Sequence, residues 1–218
     1  MVASTLSLTE RFAPPTQPFV DGRLQLVCLT RKDAEAMMKL GIIPEDASTE
    51  LLNGWIVLKD RSALGQDPKM ISRYHVRCVE RLSNLRSQID SAARHVESQQ
   101  PLVCSETHVP EPDFTVLRGE LDKYTDLPTA ADAYCVVEVA DSSYERDTGL
   151  KLVGYAKAGV AQYVVINLRN QTAEVYTQPD PVAGTYAKPT IVSSGQTLRL
   201  RVGDSEYFEI GLSAIVAR

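Results

Sequence analysis

The run Tyr134-Cys135-Val136-Val137-Glu138-Val139-Ala140 constrains this chain most. It is apolar throughout, in the manner of a strand buried on both faces, except for one carboxylate. An ionised glutamate there is strongly destabilising without a partner, so Glu138 must meet a cation, a proton or a metal ion. The residues after this strand narrow the fold further. Asp141-Ser142-Ser143 are polar residues suited to capping a helix, which is expected over Tyr144 to Ala158 with Gly159 as its stop. Gln162-Tyr163-Val164-Val165-Ile166 then reads as a second buried strand, and strand, helix, strand at this spacing is a parallel right-handed crossover.

Upstream, Asp113 opens the alternating segment Asp113-Phe114-Thr115-Val116-Leu117, a strand expected to pair with residues 134 to 140. In antiparallel pairing Asp113 lies beside Glu138 with both side chains on one face. Their repulsion would raise one pKa unless a divalent ion sits between them, and hard oxygen ligands select Mg2+ or Mn2+. On the helix, Asp147, Lys151 and Tyr155 recur every fourth residue as a polar row that starts at the end of the Glu138 strand, where open α/β sheets place their sites. Leu150, Val153 and Ala156 are expected to face the core instead. His95 and His108 have no visible partner and are expected on the surface or in loops.

These residues resemble the PD-(D/E)xK nuclease superfamily, and within it the bacterial putative restriction endonuclease family, formerly a domain of unknown function. The resemblance runs from about Thr30 to the C-terminus. It rests on Thr49-Glu50-Leu51-Leu52-Asn53-Gly54-Trp55-Ile56-Val57, His75 opening a helix, Pro112-Asp113, Val136-Val137-Glu138-Val139, and the series from Asp147 through Lys151 and Tyr155-Ala156 to Gly159-Val160 and Tyr163. It implies a restriction-endonuclease-like α/β core, a central mixed sheet flanked by helices, with additional C-terminal strands. It also implies that Asp113, Glu138 and the Val139 carbonyl bind Mg2+, with Mn2+ able to substitute. Glu50 would approach the metal from the first helix, and Lys151 would serve as the catalytic lysine beside Asp113 and Glu138. The superfamily usually places that lysine two residues after the glutamate, where this chain has Ala140. The segment from Gly54 to His75 is also longer than the family's short hairpin.

The function these features imply is Mg2+-dependent endonucleolytic cleavage, most simply of DNA by a cytoplasmic homodimer. His75, Asp147 and Tyr155 are expected as supporting residues. Arg73, Arg77 and Arg81 recur every fourth residue on the helix that His75 opens, as a nucleic-acid contact or a solvated face. A net charge of -5 argues against tight nonspecific nucleic-acid binding without metal, although bound Mg2+ would restore attraction locally. An inactive nucleic-acid-binding or protein-interaction module, or a nuclease acting on RNA, remains open from the residues alone. The four cysteines lack close-paired metal spacing, and no transmembrane run is present. Residues 1–25, with Pro14, Pro15 and Pro18, read as a tail or dimer arm ahead of a single domain over 26–218. Thr30 to Met38 reads as an amphipathic helix, Ala173 to Tyr176 as a hairpin partner of residues 163 to 167, and the C-terminal part as short strands that extend the sheet or form a dimer surface.

Overall fold

The computed structural model describes residues 27–44, 47, 49–58 and 72–217; the expected tail and part of the segment before His75 lie outside them. Helix α1 (Arg31–Lys39) begins at Thr30, where Thr30 and Asp33 cap one another reciprocally. Strands β1 (Thr49–Leu52) and β2 (Trp55–Leu58) form an antiparallel hairpin. Their two-residue turn requires positive φ at both positions, and Asn53 and Gly54 supply it at 51° and 81°. Helix α2 (Arg73–Ser83) is capped by the Ser72 hydroxyl, which accepts from the His75 N–H at 3.1 Å. A short α3 (Arg86–Ile89) leads into β3 (Arg94–Glu97), followed by β4 (Phe114–Arg118) and β5 (Ala133–Ala140).

The crossover helix is interrupted, unlike the straight helix expected. Its first turn, α4 (Tyr144–Arg146), passes into a π turn (Asp147–Lys151) before α5 (Leu152–Lys157) resumes regular geometry. Gly159, at φ 75°, supplies the left-handed stop. Strands β6 (Gln162–Asn167) and β7 (Thr172–Thr177) follow, then a minor hairpin of β8 (Pro179–Asp180) and β9 (Thr185–Tyr186). After β10 (Thr190–Ser193), β11 (Thr197–Arg201) and β12 (Tyr207–Gly211) pair with one another, and α6 (Leu212–Val216) completes the described chain.

Among the described residues the largest sheet has six strands in the order β10-β7-β6-β5-β4-β3. It is mixed: β5 and β6 run parallel across the crossover, and every other pair in it is antiparallel. The expected mixed α/β architecture is therefore the one observed, with β10 extending the sheet. Cys135, Val137 and Val139 of β5 enter a core shared with α2, β11 and α6. Val136 and Ala140 enter the opposite core, beside Tyr155 and Tyr163. Glu138 shares their parity, so strand alternation points its carboxylate at the layer of the crossover helix. No described helix is long and apolar enough to cross a membrane.

Two expectations about buried faces are corrected. Leu150 and Val153 are only half-buried, whereas Asp147, Lys151 and Tyr155 are buried. The polar row faces inward because it has carboxylates and an ammonium to meet there. His95 and His108 are also buried. His95 Nδ1 bonds the Gly119 carbonyl at 2.8 Å, and His108 Nδ1 meets the Asn53 side-chain oxygen at 2.9 Å. These are long-range partners that local sequence does not display.

Candidate active site

The site assembles where β4 begins and β5 ends. Phe114 pairs with Val137, so antiparallel register sets Asp113 one step earlier, opposite Glu138. Ahead of the ladder, the Val139 N–H donates to Asp113 Oδ2 at 2.8 Å. His75 reaches the same carboxylate from α2, with Nε2 at 3.4 Å from Oδ2. On the far side of Glu138, Lys151 Nζ donates to Oε1 at 2.8 Å and the Tyr155 hydroxyl donates to the same oxygen at 2.9 Å.

Glu50 arrives from β1 and not from the first helix, which corrects the expected route. The β1–β2 hairpin docks on the segment leading to Asp113 through Val109 N–H to the Leu51 carbonyl, at 2.7 Å. Glu50 Oε1 then accepts from Glu111 N–H at 2.8 Å and lies 2.7 Å from Lys151 Nζ. The lysine is thus held between two carboxylates and is 1% exposed.

The π turn explains how one helix presents the whole row. Residues four apart overshoot a turn of 3.6 residues, so a straight helix carries such a row around its axis. A π turn takes up more residues and offsets that overshoot. Tyr163 on β6 supports it by donating its hydroxyl to the Asp147 carbonyl at 2.8 Å. Ser143 Oγ donates to Asp147 Oδ2 at 2.5 Å, while Oδ1 lies 3.5 Å from Arg146 Nε.

Electrostatics follow from this crowding. Burial pushes the Glu138 carboxyl up to about 8, with Lys151 opposing and Asp147, Asp113 and Glu50 adding to the rise. Asp147 is also raised by burial, against the pull of Lys151 and Arg146. Burial works against charge on Asp113 too, but His75 and the Val139 N–H outweigh it and lower its pKa. Burial likewise opposes the His75 and Lys151 cations. Asp113 lifts His75 nonetheless, and Glu138 and Glu50 lift Lys151.

Among the described residues no three His, Cys, Asp or Glu side chains make a ready-made metal cage. Mg2+ does not need one, since it binds through one or two carboxylates and fills its octahedron with water and phosphate. The charge balance suits it. When all are ionised, the four carboxylates Glu50, Asp113, Glu138 and Asp147 outnumber the permanent cations Lys151 and Arg146 by two, and the raised pKa values of Glu138 and Asp147 mark a crowding that one divalent ion would relieve.

Two participants were not read from the sequence. Arg146 gives no periodic signal, because its partner Asp147 is its chain neighbour. His108 packs edge-to-face on Tyr155, with ring centroids 6.4 Å apart, and its Nε2 rests over the backbone of Gly154. A Cβ on Gly154 would lie 2.0 Å from that nitrogen. Glycine inside a helical segment was the available hint. Of the three arginines on α2, Arg73 and Arg77 are exposed, whereas Arg81 donates to the Ile215 and Ala217 carbonyls and ties α2 to the C-terminus.

A mixed sheet with carboxylates at the end of its central strand and a lysine on the crossover helix places this chain among the restriction-endonuclease-like α/β proteins. It belongs to the Uma2 family, described as putative restriction endonuclease, which it matches over residues 34–206. The family and fold are those of nucleases. Among solved structures it is similar to the crystal structure of a putative nuclease belonging to DUF820 from Anabaena variabilis ATCC 29413, at a TM-score of 0.60 and 13% identity, covering 83% of this chain and 97% of that one. At that identity the likeness concerns the fold. No curated protein matches the chain.

Proposed function

We propose that this nuclease hydrolyses phosphodiester bonds in DNA with Mg2+ as its cofactor. The observation that carries the reading is the buried excess of carboxylate at the end of β5, where Asp113 and Glu138 face one another by register. Asp113 and Glu138 would hold the ion, with the Val139 carbonyl and Glu50 completing its surroundings. A bound Mg2+ would supply a Lewis acid for the phosphate and lower the pKa of a water nucleophile.

The protein's own groups do the rest. His75 and the Val139 N–H fix the Asp113 carboxylate, and Tyr155 and Lys151 fix that of Glu138. Lys151, sequestered from solvent, lends its charge to the developing negative charge through surroundings of low dielectric. A binding module without cleavage has one observation in its favour: Lys151 already bridges Glu50 and Glu138, an arrangement that needs no ion.

The deciding experiment compares cleavage of supercoiled, linear and single-stranded DNA, and of RNA, in Mg2+, Mn2+ and EDTA. Asp113→Asn and Glu138→Gln should each abolish metal-dependent cleavage and calorimetric Mn2+ binding. The melting temperature should hold or rise in Glu138→Gln, which relieves repulsion, and fall in Asp113→Asn, which gives up the charge that His75 and the Val139 N–H stabilise. Unchanged Mn2+ affinity in both variants would remove the metal assignment, and cleavage that persists in EDTA would remove the mechanism.

A further inference from the structure

We propose that the Arg146 guanidinium is the subsite for a backbone phosphate of the nucleic acid, the contact through which an anionic substrate tolerates a carboxylate-rich centre. The inference rests on the nuclease reading and names the cation that meets substrate.

The carboxylate excess repels a phosphate as well as attracting a metal ion, so approach requires a positive group that substrate can reach. Lys151 cannot be that group in this arrangement, being 1% exposed and bonded between Glu50 and Glu138. Arg146 is differently placed. It ends α4, directly before the π turn, and its side chain is 31% exposed while its charge is felt by Asp147, Glu50 and Glu138.

Its Nε is buried against Asp147 Oδ1, 3.5 Å away, so that ion pair orients the guanidinium and leaves the exposed part of the side chain for a phosphate to reach. Other arginines are spent on the fold: Arg81 on the Ile215 carbonyl, Arg86 on that of Val96, Arg94 on those of Ile89 and Val202, Arg201 on that of Gly203. A guanidinium anchored through Nε by one long ion pair to Asp147 can offer the remaining edge of its planar fork to two phosphate oxygens, a geometry lysine does not reproduce.

The test measures binding of a fluorescein-labelled DNA duplex by anisotropy in EDTA across a salt series, with unlabelled RNA of the same sequence as competitor, for wild type, R146K and R146Q. Expected is about tenfold weaker binding for R146Q and a salt slope of log Kd smaller by about one. R146K keeps the charge beside Asp147, so it should stay folded with unchanged Mn2+ affinity, retain the salt slope and still bind more weakly for lack of the fork. Displacement by RNA supports the same subsite with RNA backbone as its source. Wild-type affinity and slope in both variants overturn the inference, as does a wild type that binds neither nucleic acid. The two readings separate cleanly. A protein that binds DNA through Arg146 but cuts nothing with Mg2+ or Mn2+ retains the subsite and loses the nuclease, whereas cleavage with an unaltered KM in R146K retains the nuclease and loses the subsite.

Discussion

Lys151 donates to Glu138 at 2.8 Å and lies 2.7 Å from Glu50 Oε1, so Lys151→Met leaves buried carboxylates without their shared cation. Breaking such a pair costs about 3–5 kcal/mol, and the loss should appear in urea unfolding without metal. Cleavage should fall to a small fraction while Mn2+ affinity holds; a wild-type rate would reduce the lysine to a structural counter-ion. Gly154 makes a separate residue-scale claim. Ala is the better helix former by about 1 kcal/mol, but here its methyl would stand 2.0 Å from His108 Nε2. Gly154→Ala should therefore destabilise, by about 1–3 kcal/mol for an overpacked core. Adding His108→Ala should make the pair more stable than the sum of single effects, and strict additivity in that cycle would show that the two residues do not compete for space.

Among elements, the π turn was the one that spacing could not reveal, because a sequence with residues every four positions reads equally as a plain helix. The wide turn depends on β6, where Tyr163 donates to the Asp147 carbonyl. Tyr163→Phe keeps the aromatic packing against Tyr155, at 4.8 Å between centroids, and deletes only that donor. Stability should drop by about 1–3 kcal/mol, the loss expected for a buried acceptor left unsatisfied. Amide exchange across residues 147–151 should accelerate, and kcat should fall with Mn2+ affinity unchanged. Exchange that matches wild type would mean the turn is held by its own backbone. The β1–β2 hairpin was legible by contrast, since Asn53-Gly54 between apolar runs specifies a turn with two positive φ values.

For the whole molecule, acid stability should carry the signature of His108. Burial first, and Lys151 second, push its pKa down to about 4 from 6.5, so the folded state binds fewer protons than the unfolded chain. Its contribution is fully present above pH 6.5 and is lost as pH falls towards 4, about 3 kcal/mol at most. Glu138 has the opposite sign: raised from 4.5 to about 8 without metal, it contributes below pH 4.5 and its contribution disappears as pH rises through 8. Comparing wild type with His108→Gln at matched pH cancels the glutamate. The difference in unfolding free energy should then move against the wild type as pH drops from 6.5 to 4, and a pH-independent difference would mean that His108 takes up its proton as readily in the folded protein as in the unfolded chain.

Local residue order alone determined the buried β5 strand, its crossover to β6, the β6–β7 hairpin, the Asn-Gly turn and the meeting of Asp113 with Glu138. Each follows from alternation, turn chemistry or antiparallel register over short stretches of chain. Tertiary structure alone decided which face of the crossover helix is buried, that Glu50 comes from a strand, that Arg81 serves the C-terminus and that His108 lies against Gly154. Those outcomes depend on groups far apart in sequence, such as Glu50 and Lys151, and on the free energy of burying polar side chains only where partners await them. Periodicity in one segment carries no information about a partner one hundred residues away.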